Sequence, residues 1–144
     1  GAHAGTFRGN QLAMKAGTVL LKKVSQPKFL QDVSKKGELI RARLNALKEK
    51  VSIIGDIRGQ GLMVGTEFVD PKGQKDLQGS LPACGEIAAK VQKLCFENFL
   101  VVEKGGRNGS VMRCLCALNI SEEDVNKAMD IFEKCVLQVN QEYK

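Results

Sequence analysis

Residues 53 to 69 read IIGDIRGQGLMVGTEFV, and this stretch decides the fold class. Two short apolar runs, at residues 53 to 58 and 62 to 69, are joined through Gly59-Gln60-Gly61. Glycine permits the positive φ angles that a flexible corner requires. Short runs with β-branched residues on either side of such a corner predict two β-strands, and antiparallel pairing is the simplest arrangement.

Helical periodicity precedes this strand pair. Apolar residues recur every three or four positions from residue 10 to 24, with Asn10 as the expected N-cap. A second helix is expected from Pro27 to about Lys50, because proline is favoured in the first turn of a helix. Gly37 is expected to interrupt or kink this helix.

Downstream of the pair, the polar stretch from residue 70 to 82 predicts a surface loop. Ser121, followed by Asp124 three positions later, predicts the N-cap of a last helix that ends near Gln141. The elements expected between them are a helix at 83–99, a strand at 100–103, a turn at 104–109 and a strand at 110–118. This order predicts an α/β (α+β) domain with helices packed on one face of a small, largely antiparallel sheet.

The composition limits the kinds of protein and of site that the chain can form. The 144 residues are 43% hydrophobic and 26% charged, as in a globular domain. Five cysteines, without a CxxC pair and with one histidine, support neither a disulfide framework nor a zinc site. We therefore expect buried, reduced cysteines and no metal site. His3, the single histidine, has no partner at a defensible triad spacing, so we do not assign it a catalytic role.

The net charge of +6 raises the question of an acidic partner. The lysines lie among acidic and apolar residues at helical intervals, which is typical of a solvated helix face. Seven aromatic residues leave little for base stacking. No apolar run approaches the roughly 20 residues that span a bilayer, and no signal peptide is recognisable. We expect a soluble, cytoplasmic protein that binds neither nucleic acid nor membrane.

Three segments could carry chemistry. Gly5-Thr6-Phe7-Arg8-Gly9-Asn10 precedes a helix, where backbone N–H groups and a hydroxyl can hold an anion; an ordinary turn and N-cap is the alternative. Residues 58 to 65 contain several glycines, but their spacing is wrong for a dinucleotide site, and a tight turn with close backbone packing is favoured.

The third segment is centred on Arg113, a cation within the apolar residues 111 to 118. Burying an unpaired charge is costly, so Arg113 requires an anionic partner. A guanidinium can grip a carboxylate through two parallel hydrogen bonds. The partner is either a substrate carboxylate or a structural ion pair, or else Arg113 lies at an exposed edge.

Together and in this order, these segments resemble the class III aminotransferases. Residues 3 to 13 resemble the family motif H-x-[GS]-T-[FY]-x-G-N-x-L-A, and residues 58 to 65 resemble R-G-x-G-L-M-x-G. Val111-Met112-Arg113 resembles the arginine-bearing strand before the last helix. The form GTFRGNQLA is most similar to the diaminobutyrate:2-oxoglutarate aminotransferases. Transaminases of ornithine, acetylornithine or 4-aminobutyrate share the general pattern.

The resemblance implies a pyridoxal-phosphate enzyme of fold type I that acts as a homodimer on amino-acid and 2-oxoacid substrates. Thr6 matches the threonine that reaches the cofactor phosphate of the neighbouring subunit, and Phe7 offers its backbone N–H beside it. Arg113 matches the arginine that binds a substrate carboxylate. Cys116-Ala117 stands where family members usually have Pro-Pro, which leaves the strand exit undefined.

The resemblance also implies a division of the chain. Residues 1–24 correspond to the tail and linking helix of the large, cofactor-binding domain, and residues 25–144 to the C-terminal small domain. The lysine that holds the cofactor is expected upstream of Gly1, so the chain alone is expected to be inactive, with its lysines at the surface. Without the large domain, residues 1–24 are expected to be disordered, repacked or used in a dimer contact. The alternative is a non-catalytic, small basic α/β binding module.

Overall fold

The structure, a computed structural model, describes residues 4 to 143, so that His3 lies outside the described residues. The elements are α1 (Gln11–Val24), α2 (Pro27–Lys48), β1 (Ile54–Gln60), β2 (Met63–Phe68), α3 (Gly85–Glu97), β3 (Glu103–Gly105), a 3-10 turn (Arg107–Gly109), β4 (Val111–Leu115) and α4 (Glu122–Gln141). Within this part of the chain, no helix is both long enough and apolar enough to cross a membrane. The predicted mixture of helices with a small sheet is confirmed.

The four strands form one sheet in the order β1-β2-β4-β3, and each neighbouring pair is antiparallel. The glycine corner joins β1 to β2 as predicted, with φ angles of +148° at Gly59 and +55° at Gly61. Along β2, Val64, Thr66 and Phe68 are buried, whereas the alternate residues are not. One face of the sheet therefore carries the core.

Helices α2, α3 and α4 supply the other side of that core. Their buried residues join those of the sheet in a single apolar cluster. The completely buried members include Leu44 from α2, Ile87 and Val91 from α3, and Val136 and Val139 from α4. This packing confirms the prediction of helices against one face of an antiparallel sheet.

The described chain divides into two compact units, Gly1–Asp32 and Val33–Lys144. In the first unit, Asn10 caps α1 as predicted, since its Oδ1 accepts a hydrogen bond of 3.0 Å from Ala13 N. No residue of α1 is buried, and Leu12 is 83% exposed. Residues 11 to 24 form a regular helix, so the structure does not show the disorder that was one of three outcomes expected for residues 1–24; repacking and use in a dimer contact stay predictions.

Gly37 does not interrupt α2, contrary to expectation. The helix is continuous, and Gly37 is among its buried residues. A Cβ added at Gly37 would overlap the carbonyl oxygen of Gly61. The glycine is therefore explained by close approach of the helix to the β1–β2 corner.

The strand expected at 100–103 lies instead at Glu103–Gly105, and the strand expected at 110–118 is limited to Val111–Leu115. The end of α3 explains the first shift. Leu100 N donates to Cys95 O at 2.8 Å, and Gln92 Nε2 donates to Val102 O at 2.9 Å. These bonds tie residues 100 and 102 to the helix, so pairing with β4 begins only at Glu103.

Phe99 occupies the position after the C-cap of α3, where glycine is usual. Its φ is +64°, and the two bonds of a Schellman motif are present, from Phe99 N to Phe96 O and from Leu100 N to Cys95 O. The side chain is 97% exposed, so its ring contributes little burial.

Replacing Phe99 with glycine should therefore raise the free energy of unfolding by about 1 kcal/mol, because the left-handed conformation costs a residue with a Cβ roughly that much. Urea denaturation measures the change. Phe96→Gly, three residues earlier within the helix, should have the opposite sign. A loss of stability in Phe99→Gly would show that the ring makes a contact that outweighs the strain.

Candidate functional site

The turn before α1 leaves Thr6 and Phe7 open to solvent. Arg8 N donates to Gly5 O at 3.2 Å, and Asn10 N donates to Phe7 O at 3.3 Å. Among residues 4 to 143, the N–H groups of Thr6 and Phe7 donate to no protein acceptor. An exposed hydroxyl and two uncommitted amides before a helix N-terminus fit a phosphate group.

Arg113 lies in the middle of β4, opposite Glu103 on β3. Its Nη2 is 2.6 Å from Glu103 Oε1, and the two side chains are 40% and 46% exposed. The ion pair that the sequence left open as a partner for Arg113 is therefore present. It lies at an accessible position rather than in the core.

The Nε atom of Arg113 takes no part in this pair. This nitrogen is buried and, within the described residues, has no hydrogen-bond partner. A buried donor without an acceptor costs about 1–3 kcal/mol. Because Nε is covered by the protein, a ligand carboxylate would have to meet the parts of the guanidinium that remain accessible.

Gly105 makes room for the guanidinium. A Cβ at this position would lie 3.0 Å from Arg113 Nη2 and 3.6 Å from its Cζ. The head of Arg113 therefore rests against the backbone of β3, two residues beyond Glu103. Sequence reasoning assigned Gly105 only to a turn, because the contact depends on the register of β3 against β4.

A cavity of about 270 Å³ adjoins the pair. Arg113 and Glu103 are its charged members, and the rest of the wall is mostly apolar, contributed by α2, α4, β4 and residues 100 to 102. A mostly apolar cavity with a few convergent polar groups is the usual form of a small-molecule site.

The two thiols beside Arg113 carry no charge near neutral pH. Burial and, to a smaller extent, the neighbouring Cys116 thiol raise the pKa of the Cys114 thiol to about 11. Burial also raises the pKa of Cys116, although the charge of Lys36 acts in the opposite direction.

Lys36 corrects the expectation that every lysine lies at the surface. It is only 3% exposed, and its Nζ donates to Leu118 O at 3.3 Å and to Ile120 O at 2.8 Å. These carbonyls follow the Cys116-Ala117 segment, so Lys36 fixes the strand exit where a Pro-Pro pair is missing. The sequence could have indicated this burial, because Lys36 lies three residues after Val33 and four before Ile40, on the same apolar face of the helix.

Replacing Lys36 with methionine should lower the free energy of unfolding by about 1–3 kcal/mol, because two carbonyls lose their donor while the apolar stem is kept. Urea denaturation measures the change. Lys35→Met is the matched control, since Lys35 is 72% exposed and pairs with Glu122 at the surface. Equal effects of the two substitutions would contradict an anchoring role for Lys36.

The family model described as aminotransferase class III matches residues 1 to 136 of the chain. The chain belongs to the class III aminotransferases. A diaminobutyrate–2-oxoglutarate aminotransferase of Haemophilus influenzae is 42% identical over 135 residues, covering 94% of this chain and 30% of that relative. One of Rhizobium meliloti is 42% identical over 127 residues, covering 88% and 27%. This class III chain thus spans less than a third of the length of these relatives.

Solved structures agree with the family assignment. An acetylornithine aminotransferase from Elizabethkingia anophelis has a TM-score of 0.72 and 26% identity, covering 96% of this chain and 31% of that structure. A transaminase from the marine bacterium Virgibacillus has a TM-score of 0.80 at 18% identity, covering 99% and 32%. The α/β fold predicted from the sequence is therefore the fold of known class III members.

The predicted site residues of this aminotransferase chain fall in different units. Thr6 and Phe7 lie in the first compact unit and Arg113 in the second. The structure brings Arg113 together with Glu103 and Gly105, two residues that sequence reasoning did not assign to the site. The roles of Thr6, Phe7 and Arg113 stay predictions.

Proposed function

We propose that the chain is the C-terminal part of a transaminase that moves the terminal amino group of a diamino or ω-amino acid, with 2,4-diaminobutyrate as the preferred donor, to 2-oxoglutarate. The relatives at 42% identity support this substrate, because they are named for it. The observation that carries the proposal is Arg113, a half-exposed cation beside a mostly apolar cavity. In this proposal Arg113 binds a substrate carboxylate.

Pyridoxal phosphate is the proposed cofactor; when bound, it supplies the electron sink for amino-group exchange. The role proposed for this chain is to hold the phosphate group of the cofactor through the Thr6 hydroxyl and the Phe7 N–H. The exposed turn with its uncommitted amides supports that role. In this proposal Arg113 orients the substrate by binding its carboxylate.

The rest of the assembly follows the family pattern in this proposal. Residues 1–24 link to the large domain, residues 25–144 form the small domain, and the whole protein is a cytoplasmic homodimer. In that dimer Thr6 and Phe7 serve the cofactor of the neighbouring subunit. The family assignment favours this enzyme over the non-catalytic binding module.

The test is a donor comparison with the protein extended upstream of Gly1 to the full length of its relatives. Glutamate formation from 2-oxoglutarate is measured with 2,4-diaminobutyrate, ornithine, acetylornithine and 4-aminobutyrate. We expect kcat/KM to be highest for 2,4-diaminobutyrate. Preference for another donor would refute the proposed substrate, and absence of glutamate with all four would refute the transaminase.

A further inference from the structure

The sheet has a gap beside Arg113. Pairing between β3 and β4 ends at Glu103 and Arg113, whereas β4 continues to Leu115. Residues 100 and 102 are tied to α3 by hydrogen bonds, which hold them away from the end of β4. The cavity of about 270 Å³ is lined by residues 100–102 on one side and by residues 114–116 on the other. The cavity is therefore a consequence of the late start of β3.

Behind this gap the cavity is apolar. The side chains that line it there come from α2 and α4 and are Ile40, Val125, Ala128, Met129 and Phe132. Cys114 and Cys116 also line the cavity, and burial raises the pKa of both thiols, so they are uncharged near neutral pH. Charge is therefore confined to the place where Glu103 meets Arg113.

Arg113 can accept a second carboxylate beside Glu103. Glu103 engages Nη2 of Arg113, and Nε is covered by the protein. The remaining nitrogen, Nη1, is not enclosed and donates to no acceptor within residues 4 to 143. Arg43 and Arg58 each pair with two carboxylates in this protein. Glu103 therefore does not prevent an anionic ligand from binding to Nη1.

A carboxylate with an aliphatic tail matches both parts of this cavity. The carboxylate accepts a hydrogen bond from Nη1, and the tail enters the gap toward α4, where burial of each methylene group is favourable. A charged group in the tail would be buried against apolar side chains, which is costly. The volume lies just below the roughly 300–1,000 Å³ of sites for drug-sized ligands, which favours a short tail.

We propose that the gap beside Arg113 binds short-chain aliphatic monocarboxylates, and that these acids compete with the amino donor for Arg113. The competition rests on the proposed function, in which Arg113 binds the carboxylate of the donor, whereas the binding itself does not. A saturated acid has neither an amino nor an oxo group to exchange. Such acids are therefore inhibitors of the substrate site and not substrates.

Calorimetric titration of the full-length, cofactor-free protein with acetate, butanoate and hexanoate tests the binding. We expect the affinity to rise about threefold to fourfold for each added methylene group, since each is buried in the gap. Hexan-1-ol keeps the tail without the carboxylate and should bind at least about tenfold more weakly than hexanoate, because it lacks a charge-assisted hydrogen bond. Arg113→Met should weaken hexanoate binding to the same extent. No detectable binding of hexanoate, an affinity independent of chain length, or equal binding of hexan-1-ol would overturn the inference.

Ala128→Leu locates the tail. Ala128 lies on α4 and lines the cavity, so a leucine there should fill the gap and remove the gain in affinity from acetate to hexanoate. Ala89→Leu is the matched control, because Ala89 is also a half-buried helix residue and does not line this cavity. Wild-type affinity for hexanoate in Ala128→Leu would place the tail elsewhere and contradict the inference.

Steady-state kinetics of the full-length holoenzyme test the competition. With 2-oxoglutarate at saturation, hexanoate should raise the KM for 2,4-diaminobutyrate more strongly than acetate does at equal concentration. Glutamate formation without added acid tests the proposed function separately. Binding of hexanoate without transamination would refute the proposed function alone, whereas transamination without hexanoate binding would refute this inference alone.

Discussion

Replacing Arg113 with alanine is expected to lower kcat/KM for the amino donor by about 10²–10³-fold in the full-length protein. Truncating one partner of a hydrogen-bonded charge pair costs about 2–5 kcal/mol when the other charge is left unpaired. Here the substrate carboxylate loses its cation, and Glu103 is left without its partner at 2.6 Å. Steady-state kinetics with 2,4-diaminobutyrate and 2-oxoglutarate measure the effect.

Arg113→Lys separates charge from geometry. Lysine keeps the positive charge but cannot form two parallel hydrogen bonds to one carboxylate, so most of the loss should persist. Arg107→Ala, at an exposed position of the 3-10 turn, is the control and should have little effect. If Arg113→Ala retained activity within a few-fold of wild type, the guanidinium would be no more than a structural partner of Glu103.

Replacing Gly37 with alanine is expected to lower the free energy of unfolding by about 2–3 kcal/mol. Alanine is normally the better helix former, by about 1 kcal/mol. At this position its Cβ would overlap the Gly61 carbonyl, which is backbone and cannot rotate away. Overpacking of this kind costs about 1–3 kcal/mol and more where the neighbour is rigid, so the clash outweighs the gain in propensity. Urea denaturation gives the difference.

Gly17→Ala is the matched control, because Gly17 also lies inside a helix and a Cβ there would meet no atom within 4 Å. It should be neutral or raise helix stability. A stable Gly37→Ala protein would contradict the close approach of α2 to the β1–β2 corner.

Local features of the fold were predictable because neighbouring residues determine them. Asn10 and Ser121 cap their helices through bonds to amides three positions later. The glycine corner at residues 59 to 61 joins two strands, as the flanking apolar runs predicted. Each of these depends on a few consecutive residues, so a single sequence carries enough information.

The errors concern contacts between residues far apart in the chain. Gly37 resembles a helix breaker until Gly61 is known to lie against it. Lys36 was expected at the surface, because the sequence does not show that the carbonyls of Leu118 and Ile120 lie beside it. Such contacts depend on tertiary packing, which periodicity does not specify.

At the candidate site, too, the sequence predicted the feature that depends on neighbouring residues but not the contact between distant ones. The apolar residues around Arg113 predicted that this cation has an anionic partner. The family resemblance predicted that the partner is a substrate carboxylate. Glu103 escaped notice because β3 was expected at 100–103, whereas its pairing with β4 runs from Glu103 to Gly105. Only the register of β3 against β4 brings the carboxylate opposite the guanidinium.

A visible absorbance titration with pyridoxal phosphate tests most directly whether this chain is part of a cofactor-dependent transaminase. It compares the 144-residue chain with the protein extended upstream of Gly1, and borohydride reduction with peptide mapping then locates any lysine adduct. If the chain is the C-terminal part of a pyridoxal-phosphate transaminase, only the extended protein acquires the cofactor absorbance, with a single adduct upstream of Gly1. An adduct on a lysine within residues 1 to 144, or no cofactor binding by either protein, would contradict it.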